Sequence, residues 1–241
     1  MNTAQHGWRI WRDRWKAAFF GVAALALVGG VAWALLGSSF FVVRSVQTIG
    51  GVPRAQVLAA AGIRPGTPLI RIDTGAVARR VERITLVQVA RVRRSWPDAV
   101  VIWTKRRTAV FAVRSGNGYD LMDAYGVVLG TAASRPSRLV LLRSPPGPPA
   151  GLRGNKSVLA AGRVVRGLPG WLRGRVTAVR APGPARVILL LRGGVTVSWG
   201  SPSQAADKAR EMAILLRTGA SYYDVSDPAS AVTGTAANAT G

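Results

Sequence analysis

One long uncharged run precedes a series of short apolar segments along the chain. The run Ala17–Gly37 has no charged side chain. As a helix rising 1.5 Å per residue it is roughly 30 Å long, which matches the hydrocarbon core of a bilayer. The apolar core of a cleaved signal peptide is about 7–15 residues long. The pattern therefore favours an uncleaved transmembrane helix over residues 17–37, with cleavage after Ala34 as the alternative.

The segment before this run, residues 1–16, combines basic and aromatic side chains. Basic residues in a short leading segment favour the cytoplasmic side of a membrane, and tryptophans favour its interface. We therefore interpret residues 1–16 as a cytoplasmic head and everything after the span as extracytoplasmic, in a single-pass protein of the plasma membrane. The expected anchoring residues are Trp8, Arg9, Trp11, Arg12, Arg14, Trp15 and Lys16.

Residues 41–107 have the pattern of a small α+β domain. Proline in the first turn and glycine at the end delimit the first helix, and Asp73 or Thr74 can cap the second. Proline and aspartate between the last two strands supply a turn. The order β-α-α-β-β predicts a sheet with helices on one face. The predicted elements are a strand from Phe41 to Val46, helices Val52–Gly62 and Asp73–Arg83, and strands Leu86–Arg94 and Ala99–Lys105.

Residues 108–233 consist of short strand patterns separated by glycine and proline turns. This texture is typical of a mostly antiparallel β domain with flanking helices. Ser144–Pro149 cannot pair in a central strand and is expected to be a surface connection, and residues 234–241 are expected to be a disordered tail. The predicted strands are Ala109–Arg114, Gly118–Met122, Gly126–Leu129, Arg138–Leu142, Arg175–Arg180, Arg186–Leu191, Val195–Trp199 and Ser221–Val225, with a continuation near Ser230–Thr233; the predicted helices are Ser157–Arg166 and Ser203–Arg217.

The composition argues against most catalytic chemistry. The chain has no cysteine and a single histidine, His6, so thiol nucleophiles, thiolate metal sites and histidine triads are not expected. The close carboxylate pairs are Asp120 with Asp123 and Asp224 with Asp227, and aspartates beside strand ends commonly cap backbone amides. We therefore predict a protein that is not an enzyme and has no cofactor and no metal.

The charge is strongly positive, with 33 Lys and Arg against 10 Asp and Glu and a formal net charge of +23. Such a balance indicates anionic partners, but codon bias explains it equally well because Ala, Gly, Arg and Pro are abundant together. Nucleic acid is not expected as a partner, since the basic domains would face away from the chromosome.

Several motifs, taken in order, carry a resemblance to a known family. The motifs are Val43-Arg44-Ser45-Val46 with Ile49-Gly50-Gly51, Gly66-Thr67-Pro68-Leu69, Val92-Arg93-Arg94-Ser95-Trp96-Pro97, the hairpin Gly118–Val128, Gly194–Gly200 with Lys208 on a helix, and Tyr223-Asp224-Val225-Ser226-Asp227-Pro228. The first three resemble the POTRA domain of the FtsQ/DivIB family of cell division proteins, and the others resemble that family's β domain. Where the family usually has Glu-Arg and then proline between the domains, this chain has Lys105-Arg106 and Thr108.

This resemblance implies a non-enzymatic bitopic scaffold of the divisome at the division septum. Such a scaffold recruits and holds small bitopic proteins of the FtsB/DivIC and FtsL type, contacts other divisome membrane proteins and links them to septal peptidoglycan synthesis. It has no small-molecule substrate. The alternative is an exported, membrane-anchored protein that binds anionic cell-wall polymers through its basic surface. An outer-membrane assembly factor is disfavoured because no series of barrel strands follows the POTRA-like segment.

The resemblance also implies that partners dock at the end of the β domain. A final strand has an unpaired row of N–H and C=O groups that can accept an added strand, while alternate side chains such as Tyr223 and Val225 would supply selectivity. The alternative places Tyr222 and Tyr223 in the core and Asp224 in a turn cap. Trp96 is expected to pack on its own hairpin rather than on a partner. The predicted partner-binding residues are Tyr222, Tyr223, Asp224, Val225, Ser226, Asp227, Ala229, Ser230 and Val232.

Overall fold

The computed structural model of the protein describes residues 19–30, 41–143 and 149–234. Residues 19–30 are helical and belong to the predicted span 17–37. The rest of that span lies outside the described residues, as do the head with its anchoring side chains, residues 144–148 of the proline-rich connection, and residues 235–241 of the tail. Within the described ranges, no helix combines the length and the apolar character needed to cross a membrane. The membrane anchor stays a prediction.

The chain divides into two compact units between Arg106 and Arg107. The described part of the first unit contains a three-stranded sheet in the order β1-β3-β2, where β3 is parallel to β1 and antiparallel to β2. This unit has the predicted order β-α-α-β-β. Its elements are β1 (Ser45–Gly50), α1 (Arg54–Ala61), a 3-10 turn (Leu69–Arg71), α2 (Thr74–Glu82), β2 (Val87–Ser95) and β3 (Ala99–Arg106).

The helices of the first unit bury one stripe each against the sheet. Val57 of α1 and Val81 of α2 are fully buried in one cluster with Val100 and Ile102 of β3. The predicted cap of α2 is confirmed, because the N–H of Ala76 donates to Asp73 Oδ1 at 2.9 Å. Because each helix buries a valine in this one cluster, α1 and α2 lie on the same side of the sheet.

Trp96 packs on the segment that enters the first unit. Its ring meets Phe41 edge to face, with 5.4 Å between the centroids and 74° between the planes. The tryptophan is 50% exposed. The aromatic contact therefore reaches from the β2–β3 turn to the start of the unit, beyond the hairpin on which we expected it to pack.

The second unit, as far as it is described, is built on a nine-stranded sheet in the order β12-β11-β10-β9-β8-β7-β4-β5-β6. Most neighbouring strands are antiparallel, as predicted, but β4–β7, β7–β8 and β10–β11 are parallel. The strands are β4 (Phe111–Ser115), β5 (Gly118–Met122), β6 (Val128–Ala132), β7 (Val140–Arg143), β8 (Val176–Gly183), β9 (Arg186–Leu191), β10 (Thr196–Gly200), β11 (Tyr222–Asp224) and β12 (Val232–Gly234).

Helices make two of the parallel connections possible. Adjacent parallel strands need a crossover, commonly a helix. The helices α3 (Lys156–Gly167) and α4 (Gly170–Arg173) connect β7 to β8, and α5 (Ala205–Leu215) connects β10 to β11. Asn155 caps α3 by accepting from the N–H of Ser157 at 2.9 Å. The four-residue α4 was not predicted, because one turn is too short to produce a helical period.

Candidate functional site: the C-terminal end of the sheet

Two short strands, rather than one, form the C-terminal end of the sheet. β11 pairs in parallel with β10 and antiparallel with β12, where Tyr222, Tyr223 and Asp224 lie opposite Gly234, Thr233 and Val232. Within residues 149–234, β12 is the last strand of the sheet at this end. Of the predicted partner-binding residues, which run from Tyr222 to Val232, Val232 is therefore the one on the edge strand, and β11 is an interior strand.

The hydrogen bonds of β11 determine which backbone groups of β12 are open. The N–H of Thr196 donates to Ser221 O, and the N–H of Val225 donates to Ser198 O, both at 2.9 Å. The backbone N–H and C=O groups of the odd-numbered residues in this segment thus point toward β10, and those of the even-numbered residues of β11 point toward β12. Because backbone groups alternate along a strand, Val232 and Gly234 bond to β11. The N–H and C=O of Thr233 consequently point away from the sheet.

The structure divides the predicted partner-binding residues into a buried and an exposed set. Tyr223 is 1% exposed and Val225 is 0% exposed, so neither side chain can supply the surface selectivity that we predicted. The alternative, a core position, is correct for Tyr223. Tyr222 and Asp224 are half-buried. The exposed residues of the set are Ser226, Asp227, Ala229, Ser230 and Val232, of which Val232 is 56% exposed.

The turn between β11 and β12 is held by aspartate caps. The N–H of Ser226 donates to Asp224 Oδ1 at 2.9 Å, and the N–H of Ala229 donates to Asp227 Oδ1 at 3.0 Å. Pro228 then begins the 3-10 turn Pro228–Ser230. The capping role predicted for both aspartates is confirmed. The N–H of Ser226 is engaged by its own turn and is therefore not open for pairing with an added strand.

An aspartate cap also stabilises the hairpin β5–β6, at the other end of the sheet. Asp123 Oδ1 accepts the N–H groups of Tyr125 at 2.8 Å and Val127 at 2.9 Å, which confirms the predicted cap. Its Oδ2 accepts Arg107 Nη1 at 2.7 Å, and the two side chains are 4% and 12% exposed. This buried pair fixes the hairpin β5–β6 to the first residue of the second unit.

A buried lysine joins α5 to the end of β10. Lys208 is 0% exposed, and its Nζ donates to the carbonyl oxygens of Trp199 and Ser201, each at 3.0 Å. Those carbonyls lie where β10 ends and the chain turns toward α5. The lysine thus supplies donors to backbone oxygens that have left the strand ladder, and a buried oxygen without a donor is costly.

The charges around this lysine extend to the β11–β12 turn. Burial lowers the pKa of Lys208, and the carboxylates of Asp224 and Asp227 oppose that shift. Burial raises the pKa of Tyr222, and the charge of Asp224 raises it further. The ammonium group of Lys208 therefore interacts electrostatically with the same carboxylates that cap the turn leading to β12. Removing the charge of Asp224 or Asp227 should therefore change the pKa of Lys208.

Gly200 allows the turn to approach β10 closely. Its φ is 73°, in the left-handed region that favours glycine. A Cβ built at this position would lie 2.7 Å from the Cβ of Ser226, closer than carbon atoms can pack. The chain after β11 therefore passes against the backbone of β10.

The sequence contained a signal for Lys208 that we did not use. Lys208 lies four residues before Met212 and three after Ala205, which places it on the apolar stripe of its helix. Ala205 packs against the core and Met212 is fully buried. A lysine at such a position must find internal acceptors, which here are the carbonyls at the end of β10.

Comparison with known sequences assigns both units of the chain. Residues 45–105 match the family described as "POTRA domain, FtsQ-type", and residues 111–227 match "Cell division protein FtsQ/DivIB, C-terminal". The Cell division protein FtsQ of Mycolicibacterium smegmatis is 35% identical over 210 residues, which are 86% of this chain and 62% of that protein. The chain thus spans less than two thirds of that relative's length.

A second relative is matched over nearly its full length. The Cell division protein FtsQ of Streptomyces griseus is 34% identical over 200 residues, 80% of this chain and 96% of that protein. Among solved structures, the major extracytoplasmic domain of the trans isomer of DivIB from Geobacillus stearothermophilus aligns with a TM-score of 0.33 and 19% identity, covering 44% of this chain and 87% of that one. The two domain matches and these relatives show that the chain belongs to the FtsQ/DivIB family of cell division proteins.

Proposed function

We propose that this protein is a non-enzymatic, single-pass scaffold of the divisome that captures small bitopic division proteins by strand addition to β12. The partners proposed are of the FtsB/DivIC and FtsL type, which the scaffold would link to septal peptidoglycan synthesis and to other divisome membrane proteins. Membership of the FtsQ/DivIB family supports the role in cell division. The outward N–H and C=O of Thr233 are the observation that supports the mode of capture.

The placement of exposed residues favours this end of the sheet. Val232 presents an apolar side chain that is 56% exposed, next to the one residue of β12 whose backbone is open. An added strand would pair with Thr233 and cover Val232, which combines main-chain hydrogen bonds with apolar burial. The docking residues we propose are therefore Val232 and Thr233 with the exposed turn Ser226–Ser230.

A matched pair of substitutions at Thr233 tests the strand-addition mode. Thr233→Pro removes the outward N–H, whereas Thr233→Val keeps that N–H and preserves a strand-forming side chain. Partner capture is measured by quantitative pull-down of the full chain from crosslinked, detergent-solubilised membranes. Loss of one donor, with one partner carbonyl left unpaired, predicts about tenfold weaker capture for Thr233→Pro. Thr233→Val should capture partners as the wild type does.

A truncation tests the location independently of backbone chemistry. Ending the chain after Thr218 would also delete Tyr223 and Val225, which are buried in the core, so loss of capture could reflect unfolding. Ending it after Ala231 removes β12 while leaving both residues in place. We expect this shorter truncation to abolish capture and to leave the thermal unfolding of the protein nearly unchanged. Retention of partners at the wild-type level by this variant would show that β12 is not the docking strand.

A further inference from the structure

A cleft in the second unit gathers arginines around an apolar floor. It has a volume of about 670 Å³ and lies where β4, β7 and β8 begin and β9 ends, beside α3 and α4. Five of its fourteen lining residues are arginines, and none is acidic. The whole chain has 33 basic residues among 241, so composition alone does not account for this concentration. The arginines are Arg135, Arg138, Arg166, Arg173 and Arg192.

Two of these arginines are held in place by the protein. Arg135 Nη1 donates to Thr177 O at 2.8 Å. Arg166 donates from Nε to Gly162 O at 3.3 Å, and its guanidinium lies 4.9 Å from the centre of the Tyr125 ring. Fixed guanidinium groups lose little freedom when an anion binds, so they favour recognition.

The other three arginines have unused donors. Arg138, Arg173 and Arg192 are exposed, and within the described residues no carboxylate pairs with any of them; the ion pairs found there involve Arg107 and Arg210. Each guanidinium has five N–H donors in a planar fork that fits phosphate oxygens. Three such groups facing one cleft repel each other until an anion neutralises them.

We propose that this cleft binds a ligand that carries at least two phosphate groups. Several guanidinium forks around one concave space suit a phosphodiester or polyphosphate chain better than a single anion. Val140 and Val165 line the same cleft and can contact the uncharged part of the ligand. A concave cleft admits a chain or a headgroup, whereas a flat bilayer surface cannot enter it. This site is separate from β12 and does not depend on the proposed docking of division proteins.

The test is the affinity of the full chain, in neutral maltoside micelles at about 0.15 M salt, for inorganic tripolyphosphate, measured by calorimetry. The variant Arg138→Gln, Arg173→Gln, Arg192→Gln removes three cleft charges. Its control, Arg153→Gln, Arg163→Gln, Arg217→Gln, removes three exposed arginine charges outside the cleft. At about threefold per exposed contact, the cleft variant should bind about 30-fold more weakly, and the control should change by no more than about twofold.

Two further ligands distinguish the class and source of the anion. Orthophosphate and monomeric dihexanoylphosphatidylglycerol each carry one phosphate, and both should bind at least about tenfold more weakly than tripolyphosphate. Equal losses in the two triple variants would overturn the proposal, since binding would then follow net charge alone. No binding of tripolyphosphate by the wild type would overturn it as well. Lipid binding as tight as tripolyphosphate binding would assign the cleft to a single lipid headgroup instead. None of these outcomes affects partner capture by β12.

Discussion

Replacing Lys208 by methionine should destabilise the C-terminal end of the sheet selectively. Methionine keeps most of the volume of the lysine stem, so the packing of α5 is retained. The substitution removes both Nζ hydrogen bonds, to Trp199 O and to Ser201 O at 3.0 Å each. An unsatisfied buried carbonyl costs about 1 kcal/mol or more. The expected loss is about 2 kcal/mol in the free energy of opening this region.

Hydrogen exchange followed by mass spectrometry measures this loss where it occurs. A decrease of about 2 kcal/mol should speed exchange of the β10 and β11 amides by about 30-fold if they exchange through one cooperative opening. Lys156 is exposed at the start of α3, and Lys156→Met provides the control, with an expected effect within about 0.5 kcal/mol. Equal protection of β10 in the two variants would refute the reasoning, because the two carbonyls would then not depend on Lys208.

The pH dependence gives the same substitution a second, independent signature. Burial places the pKa of Lys208 in the folded protein below its ordinary value of 10.5. At pH values between the pKa of Lys208 in the folded protein and 10.5, the unfolded chain binds more protons than the folded one. Lys208 therefore makes the free energy of unfolding rise with pH across that window. Lys208→Met lacks this contribution. The stability difference between wild type and variant should therefore grow as the pH approaches 10.5, while the opposite effect of Tyr222, whose pKa is raised, is present in both proteins.

Three further expectations test other parts of the chain. Asp123→Asn leaves the guanidinium of Arg107 buried without its countercharge and should lower the free energy of unfolding by about 3 kcal/mol. The control Asp207→Asn, at a side chain that is 48% exposed, should change it by less than about 0.5 kcal/mol. Equal effects would show that burial of the Arg107–Asp123 pair is unimportant. Trp96→Ala should cost about 2 kcal/mol of thermal stability, from half-burial of the ring and its aromatic contact, before it affects localisation; lost localisation at unchanged stability would make Trp96 a partner contact. Protease added to intact spheroplasts should digest the chain after about Arg44, and protection of the second unit would contradict the predicted topology.

Local periodicity predicted most of the elements of the fold, because each depends on neighbouring residues. The strand predicted at Val195–Trp199 is β10, and the strand predicted at Arg186–Leu191 is β9. The parallel pairs were not predicted. Pairing of β10 with β11 depends on where α5 docks, which is a non-local property that no window of the sequence contains.

The structure changes which residues of the predicted docking segment lie at the edge of the sheet. The resemblance in Tyr223–Pro228 predicts docking at the C-terminal end of the domain, and in the structure β11 has a second neighbour there because the chain after Pro228 returns to pair with it. Tyr223 and Val225 are buried because their side chains pack in the hydrophobic core of the second unit. The open backbone groups lie at Thr233, on the strand that pairs with β11.

The shortness of β12 limits what its backbone can contribute to binding. One outward residue offers two hydrogen bonds, each with a net contribution of about 0.5–1.5 kcal/mol, so the ladder supplies at most about 3 kcal/mol. A dissociation constant of 1 μM corresponds to about 8 kcal/mol, and association also costs translational and rotational freedom. For the capture that we propose at β12, most of the affinity must therefore come from side chains, and Val232, 56% exposed, is an apolar residue placed to provide it. This predicts that Val232→Asp, which keeps every backbone group, weakens capture more than Thr233→Pro does. The opposite order in the same pull-down would mean that main-chain pairing dominates.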